Sequence, residues 1–249
     1  MMSITNQTNH IYIMKIVSLY IALLVTLASG AQDLETFFSK TDTFLKAHVT
    51  NGKVAYARLH KAQSQLNELL TLAETITIDV TDAKNYQAFW INAYNIAVIK
   101  GIIDSYPLKS PLDHKGFFDK TTYYLGGKKI TLNFIENTLL RGNFNDARFH
   151  FVLVCGAIGC PPLIAEVYLP NTLNAQLETQ TKLALNGNFL KVNANKQKVE
   201  VSEIMKWYNE DFTRNGMTEI NFINRYRIEK IPDNYKLGYF TYNWNLNEN

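Results

Sequence analysis

The chain has 249 residues, 47% hydrophobic and 19% charged, with 12 Gly and 6 Pro; this balance excludes a disordered or collagen-like chain and leaves enough apolar material for a real core. The 25 Lys+Arg against 22 Asp+Glu give +3, and the basic residues are scattered, so the chain has no phosphate-tracking surface and nucleic acid is set aside as a partner. No internal repeat, low-complexity tract or Pro/Gly/Ser linker divides it, which points to a single domain.

At the N-terminus, Met14-Lys15 precedes Ile16 to Ala28, an uncharged run of 13 residues, and then the small residues Ser29, Gly30 and Ala31. This is the order of a secretory signal peptide, and the run falls short of the roughly 20 apolar residues of a membrane span. Residues 1–31 are therefore expected to be removed, with Met14 as an alternative start. The remaining chain, 32–249, loses only the charge of Lys15, giving +2. It is expected to be exported, periplasmic or secreted, with no transmembrane span after cleavage. A retained N-terminal anchor helix is the competing reading.

Beyond the signal, Leu34, Phe37, Phe38, Phe44 and Leu45 recur at near-helical spacing, Asn51-Gly52 marks a turn, and Leu59 to Ala73 is amphipathic. Thr81 and Asp82 can cap a helix running to Asp104 that is apolar nearly all round, so it should be buried on several sides and stopped by Tyr106-Pro107. Pro107 to Phe118 reads as loop. A hairpin turns at Gly126-Gly127, and Thr131 caps a helix to about Leu140. Phe149 to Cys155, rich in Val and Phe, reads as a strand. A helix follows Pro170-Asn171, then a hairpin of Phe189 to Val192 with Gln197 to Val201, helical stretches near 202–211 and 218–227, and a closing strand from Leu237 to Trp244. The expected fold is α+β, a single domain that is mostly helical with a small mixed or antiparallel sheet.

The chemically richest stretch is Asp146 to Leu163, which holds both cysteines, Cys155 and Cys160, around Gly156 to Gly159. In an exported protein such a pair can close a disulfide. Alternatively both are small buried hydrophobes, or one is a functional thiol, Cys160 before Pro161 having its thiolate favoured if a helical turn begins there. Two sulfurs without a paired CxxC or HxxxH do not make a zinc site, so no metal or cofactor is expected. His150 is the natural candidate base. In a regular strand, however, residues 150 and 155 face opposite sides about 16 Å apart, so a partner for either must come from elsewhere, with His48, His60 and His114 on offer. Asn92 and Asn95 share a helix face and either pin a neighbouring loop or orient a catalytic histidine. Glu136 and Arg141 are surface charges or clamp the loop holding Asp146 and Arg148. The aromatics Trp90, Tyr94, Tyr123 and Tyr124 fill the core or line a pocket.

Five segments in order resemble the domain of unknown function 547 family: Phe89-Trp90-Ile91-Asn92-Ala93-Tyr94-Asn95; Ile135-Glu136 with Leu139-Leu140-Arg141; Asp146 to Leu163; Trp207-Tyr208 with Asp211-Phe212; and Tyr242 to Asn247. The resemblance implies an exported bacterial member of a family whose activity is not established. It further implies that Trp90, Asn92, Asn95, Glu136, Arg141, Arg148, His150, Cys155, Gly156, Cys160 and Pro161 converge near the end of the Phe149 segment. Members often carry His at the position of Asn137 and Asp at that of Asn243, so a base or charge partner at either place is missing here. A buried helix against a short sheet carrying a His is also similar to papain-like and transglutaminase-like thiol folds.

Two functions compete. The slightly favoured one is a non-enzymatic envelope or secreted module with a Cys155–Cys160 disulfide, its Trp90, Glu136, Arg141 and Arg148 shaping a groove for a small molecule, protein or peptide. The other is a thiol-dependent hydrolase or acyltransferase using Cys155 or Cys160, with His150 or His114 as base and Asn92 or Asn95 orienting.

Overall fold

The computed structural model describes residues 32–249, so the signal-peptide reading of residues 1–31 lies outside the described residues. The organising element is α4 (Ala83–Asp104), whose interior positions from Ala88 to Ile103 are buried almost without interruption. A helix with no polar face needs neighbours on every side. It finds them in α1 (32–48), α2 (Tyr56–Lys61), α3 (Ser64–Thr75), a hairpin of β3 (Thr122–Leu125) with β4 (Lys128–Thr131), and the irregular backbone after residue 151. The hairpin turns through Gly126 and Gly127 at φ +63° and +70°. Their N–H groups donate to the carbonyls of Ala73 and Glu74 at 2.8 and 2.7 Å, capping α3 and fixing the turn against it.

A second apolar cluster forms over a mixed three-stranded sheet. β6 (Lys198–Ser202) lies between β5 (Leu190–Asn193), antiparallel with Leu190 opposite Val201, and β7 (Lys236–Phe240), parallel with Lys198 opposite Lys236. Alternation buries Val199 and Val201 of β6 against Phe151, α6 (Leu173–Asn186), α7 (Glu203–Trp207), α8 (Asn209–Phe212) and α9 (Glu219–Tyr226). A short ribbon, β1 (Val49–Thr50) with β2 (Lys53–Val54), completes the strands. The result is a single α+β domain with small sheets.

The expected strand from Phe149 to Cys155 is not there. Ala147–Phe151 is instead a 3-10 helix, started by Asp146, whose side chain accepts the Arg148 N–H, and the chain then runs on without a neighbouring strand. Its apolar character reflects burial from both sides, Phe149, Phe151 and Val152 being completely enclosed. Asn95 takes the place of a strand partner: its side chain donates to the Val152 carbonyl at 3.0 Å and accepts the Val154 N–H at 2.9 Å. Strand geometry therefore does not keep residues 150 and 155 apart. Two smaller differences follow the local chemistry. The Leu59–Ala73 stretch breaks into α2 and α3, and the closing strand ends at Phe240, leaving a tail. That tail straps the cysteine loop, the N–H groups of Ile158 and Gly159 donating to the carbonyls of Asn245 and Asn243 at 2.8 Å. Among the described residues no helix is long and apolar enough to cross a membrane.

Candidate functional site

The two apolar clusters meet at a cavity of about 400 Å³, a size suited to a small ligand. One wall comes from the α4 side: Tyr94, Glu136 and His150. The facing wall comes from the sheet side: Trp207 and Tyr208 at the end of α7, then Tyr242 and Trp244 in the tail. Cys155 and Cys160 lie between them.

Glu136 is set by a π turn. After α5 (Leu132–Phe134), capped by the Thr131 side chain, residues Ile135–Leu140 widen so that the Arg141 N–H donates to the Glu136 carbonyl, five positions back, at 2.9 Å. Such widened turns recur at functional sites. Here the turn carries the Glu136 carboxyl, 8% exposed, to the cavity. The Tyr94 hydroxyl donates to it at 3.4 Å and His150 Nδ1 lies 4.0 Å away. Burial raises the pKa of the Tyr208 phenol, and the Glu136 carboxylate is near enough to raise it further.

The other ring nitrogen of His150 is held by Asp211, Nε2 to Oδ2 at 2.7 Å. Arg141 Nε donates to the same oxygen and Arg214 to Oδ1, each at 2.6 Å. Burial by itself would raise the Asp211 pKa, but the bonds from His150, Arg141 and Arg214 outweigh it and hold this carboxyl well below the usual range. Because Asp211 is ionised, the proton of the 2.7 Å bond sits on Nε2. Tyr208 is sandwiched between the His150 ring, 4.1 Å between centroids, and the Arg141 guanidinium, 4.7 Å from its own. Burial, reinforced by the nearby Glu136 charge, pushes the phenols of Tyr94, Tyr208 and Tyr242 up, so all three remain neutral donors.

The loop between the cysteines needs its glycines. Gly156 has φ +82°, and a Cβ on Gly159 would come within 2.8 Å of the Tyr242 ring. Folded this way, Cys155 and Cys160 are joined in a disulfide with a Cα separation of 6.4 Å, and no cysteine of the chain is free. The Tyr242 hydroxyl lies 2.9 Å from each sulfur, and the Cys155 N–H donates to Cys160 Sγ at 2.9 Å.

Of the residues singled out in the sequence, Tyr94, Glu136, His150, Cys155 and Cys160 come together at the cavity, with Arg141 directly behind them. The others have different work. Asn92 donates to the Tyr168 carbonyl at 2.8 Å and accepts the Tyr168 N–H at 3.0 Å; Asn95 does the same for the Val152–Val154 backbone. Both amides are engaged as loop pins. Trp90 packs in the core against Phe89 and Tyr86. His114 bonds Ser105 and Thr121 at 2.6 and 3.1 Å and does not line the cavity. Arg148 grips Asp146 through two nitrogens and reaches Glu178 on α6. No helix starts at Pro161, so Cys160 gains nothing from a helix terminus. Asn137 accepts a bond from Arg141, and Asn243 bonds the Asn245 N–H at 3.0 Å.

Sequence reasoning left out Tyr208, Asp211, Tyr242, Trp207 and Trp244 as site residues. Their signal was present in the two C-terminal segments of the resemblance, where polar and aromatic residues alternate too closely for a plain core. Among the described residues no group of three or more His, Cys, Asp or Glu is placed to hold a metal ion.

No curated protein and no solved structure matches the chain. Residues 78–183 match the family model described as "Protein of unknown function, DUF547". The matched segment supplies Tyr94, Glu136, His150, Cys155 and Cys160, and stops before Tyr208, Asp211 and Tyr242 close the far wall. The match to the DUF547 family model thus covers residues 78–183, and with them the α4-side wall of the cavity and both cysteines.

Proposed function

We propose that this protein is a small-molecule-binding module working outside the reducing cytoplasm, and that its ligand is a compact organic cation held in the cavity over the disulfide. One observation carries the reading: the lining joins six aromatic rings to two carboxylates, Asp119 and Glu136, and contains neither lysine nor arginine. Aromatic faces and a desolvated carboxylate attract the same kind of ligand, a positively charged group with apolar substituents. Trp207, 46% exposed, stacks with Trp244 at 5.8 Å and 22°. Tyr242 adjoins both, at 5.0 and 4.6 Å, so the rings make one continuous wall. The charges behind the cavity do not cancel its sign, because Arg141 and Arg214 are matched by the two carboxylates Asp211 and Glu210. The site outside the cytoplasm is supported by the disulfide, which reducing compartments disfavour, and by the uncharged run of residues 16–28.

A thiol–imidazole hydrolase is the weaker reading. His150 Nε2 is bonded to Asp211 and Nδ1 faces Glu136, so both ring nitrogens already face carboxylates.

The test compares choline with its uncharged isostere 3,3-dimethylbutan-1-ol and with acetate, by tryptophan fluorescence and calorimetry. Choline is expected to bind at least tenfold more tightly than the isostere, an advantage of about 1.4 kcal/mol or more, and acetate not at all. Ile204→Trp, which fills the cavity from α7, should abolish binding while leaving the circular dichroism intact. Equal binding of choline and the isostere would remove the charge preference; binding unaffected by Ile204→Trp would remove the cavity itself. Separately, thiol titration of the unreduced native protein is expected to find no free thiol, and one fast-reacting thiol near neutral pH would return the hydrolase reading to first place.

A further inference from the structure

We infer that the Cys155–Cys160 disulfide is a reactive one, exchanging with small thiols that enter the cavity, and that it does more than close a loop. A bridge that only staples a fold is normally enclosed by it. This one forms part of the wall of a cavity that admits small molecules, and Cys160 also lines a second, larger groove of about 730 Å³ bounded by Ile158, Leu183 and Phe240. Both cysteines therefore border the cavity, and Cys160 borders the second groove as well. The ring it closes holds only four intervening residues, so the loss of chain entropy in the unfolded state is small and the bridge is a weak staple. The tail already fixes the same loop through the Ile158 and Gly159 N–H groups and through the Asn247 N–H, which donates to the Gly156 carbonyl at 3.0 Å.

The surroundings of the two sulfurs are unequal. Cys160 Sγ accepts the Cys155 N–H, and the Tyr242 hydroxyl donates to it as well, each at 2.9 Å. Cys155 Sγ has only the shared Tyr242 hydroxyl. Donors aimed at a sulfur stabilise negative charge on it, and a sulfur that carries charge well is the better leaving group. Exchange then has a direction. A substrate thiolate attacks Cys155 Sγ and forms a mixed disulfide as the Cys155–Cys160 bond breaks. The bonding pair leaves on Cys160 Sγ, where the Cys155 N–H and Tyr242 hydroxyl receive it. A second substrate thiolate attacks the substrate sulfur of the mixed disulfide and expels Cys155 as a thiolate. Two substrate thiols become one disulfide, the protein bridge becomes two thiols, and the two protons released by the substrate end on the cysteines. A disulfide-containing oxidant reverses the sequence and recharges the protein.

The cation preference above is a separate matter, and one set of probes distinguishes the two. Cysteamine, 2-mercaptoethanol and 3-mercaptopropionate carry the same thiol on a cationic, a neutral and an anionic frame. Each is mixed with the native protein at neutral pH, the mixture is quenched with acid and alkylated, and the cysteines are assigned by mass spectrometry, with circular dichroism reporting the fold. The expected result is opening of the bridge by millimolar thiol in the folded protein, with Cys160→Ser, whose Cys155 is then a free thiol, forming a mixed disulfide at Cys155 when given cystamine, the disulfide of cysteamine, and releasing one cysteamine. In Tyr242→Phe the bridge should open about tenfold more slowly at a given thiol concentration, one donor to the charged leaving sulfur having been lost. If Tyr242→Phe does not fold, the wild-type protein supplies the decision: after native reduction, Cys160 should be alkylated by iodoacetamide faster than Cys155, and the preference should vanish in urea. A bridge that opens only under denaturing conditions, or reduced cysteines that alkylate at equal rates in the folded protein, would overturn the inference. Opening by all three thiols at equal rates, each corrected for its thiolate fraction at the working pH, would leave the exchange standing and count against the cation site alone.

Discussion

Asn95→Ala is expected to lower the unfolding free energy by about 2–5 kcal/mol, measured by urea denaturation with the slope of the transition unchanged. Asn95 is 3% exposed on α4, and its amide satisfies two backbone groups, the Val152 carbonyl and the Val154 N–H. Removing it leaves both groups without a partner in a region that water does not reach, and each such orphan costs about 1–3 kcal/mol. Asn95→Asp separates this account from simple loss of volume. The carboxylate keeps the acceptor for Val154 but sets a second acceptor against the Val152 carbonyl, so it should be as damaging as alanine despite its near-identical shape. If Asn95 were instead an orienting group for catalysis, both variants would keep wild-type stability. The same logic applies to Asn92 and the Tyr168 backbone, and the two losses should be close to additive because they release different stretches of loop.

These two amides also mark where the sequence could be read and where it could not. α4 was legible because a long apolar stretch ended by Tyr106-Pro107 admits few structures. The β3–β4 hairpin was legible because Gly126-Gly127 suits a turn needing positive φ at both positions. The Phe149–Cys155 segment misled for a physical reason: a run of Val and Phe reports burial on two faces, and a strand is only one way to bury both. What replaces the sheet is a side chain 57 positions away, and no local pattern carries that. The site divides the same way. Glu136, His150 and the cysteines stood out by residue type, but Asp211 and Tyr208 belong to it only through contacts across the seam between the two apolar clusters. A separation of 61 positions between His150 and Asp211 is a tertiary fact. The strand parity that kept His150 from Cys155 was sound arithmetic applied to a strand that does not form.

The seam itself should be held by charge, and Asp211 is where that is measurable. Its pKa in the folded protein is depressed by the bonds from His150, Arg141 and Arg214, whereas in the unfolded chain it lies near 3.9. A group with a depressed folded pKa contributes stability that is complete above the unfolded pKa and is lost as pH falls toward the folded value. Between about pH 5 and pH 2 the unfolded chain therefore binds a proton that the folded site refuses, and Asp211 steepens the acid loss of stability. Asp211→Asn removes that slope. Near pH 7 the variant is expected to lose about 3–5 kcal/mol, because it leaves the Arg141 and His150 side chains, 15% and 2% exposed, facing a neutral amide. As pH falls from 6 toward 2 the difference between wild type and variant should narrow, since the unfolded wild-type chain takes up a proton at Asp211 that the folded site does not. Stability curves that stay parallel across this range would show that the three donors do not act through the Asp211 charge. Because Asp211 stays ionised in the folded protein over this range, the Asp211–His150 bond and the Tyr208 ring clamped between His150 and Arg141 continue to hold the sheet-side wall of the cavity to its α4-side wall. Asp211 should therefore not release the cavity ahead of the fold, and choline fluorescence titrations at successive pH values should lose binding together with the unfolding transition; loss well ahead of it would show that the Asp211 clamp does not hold the walls.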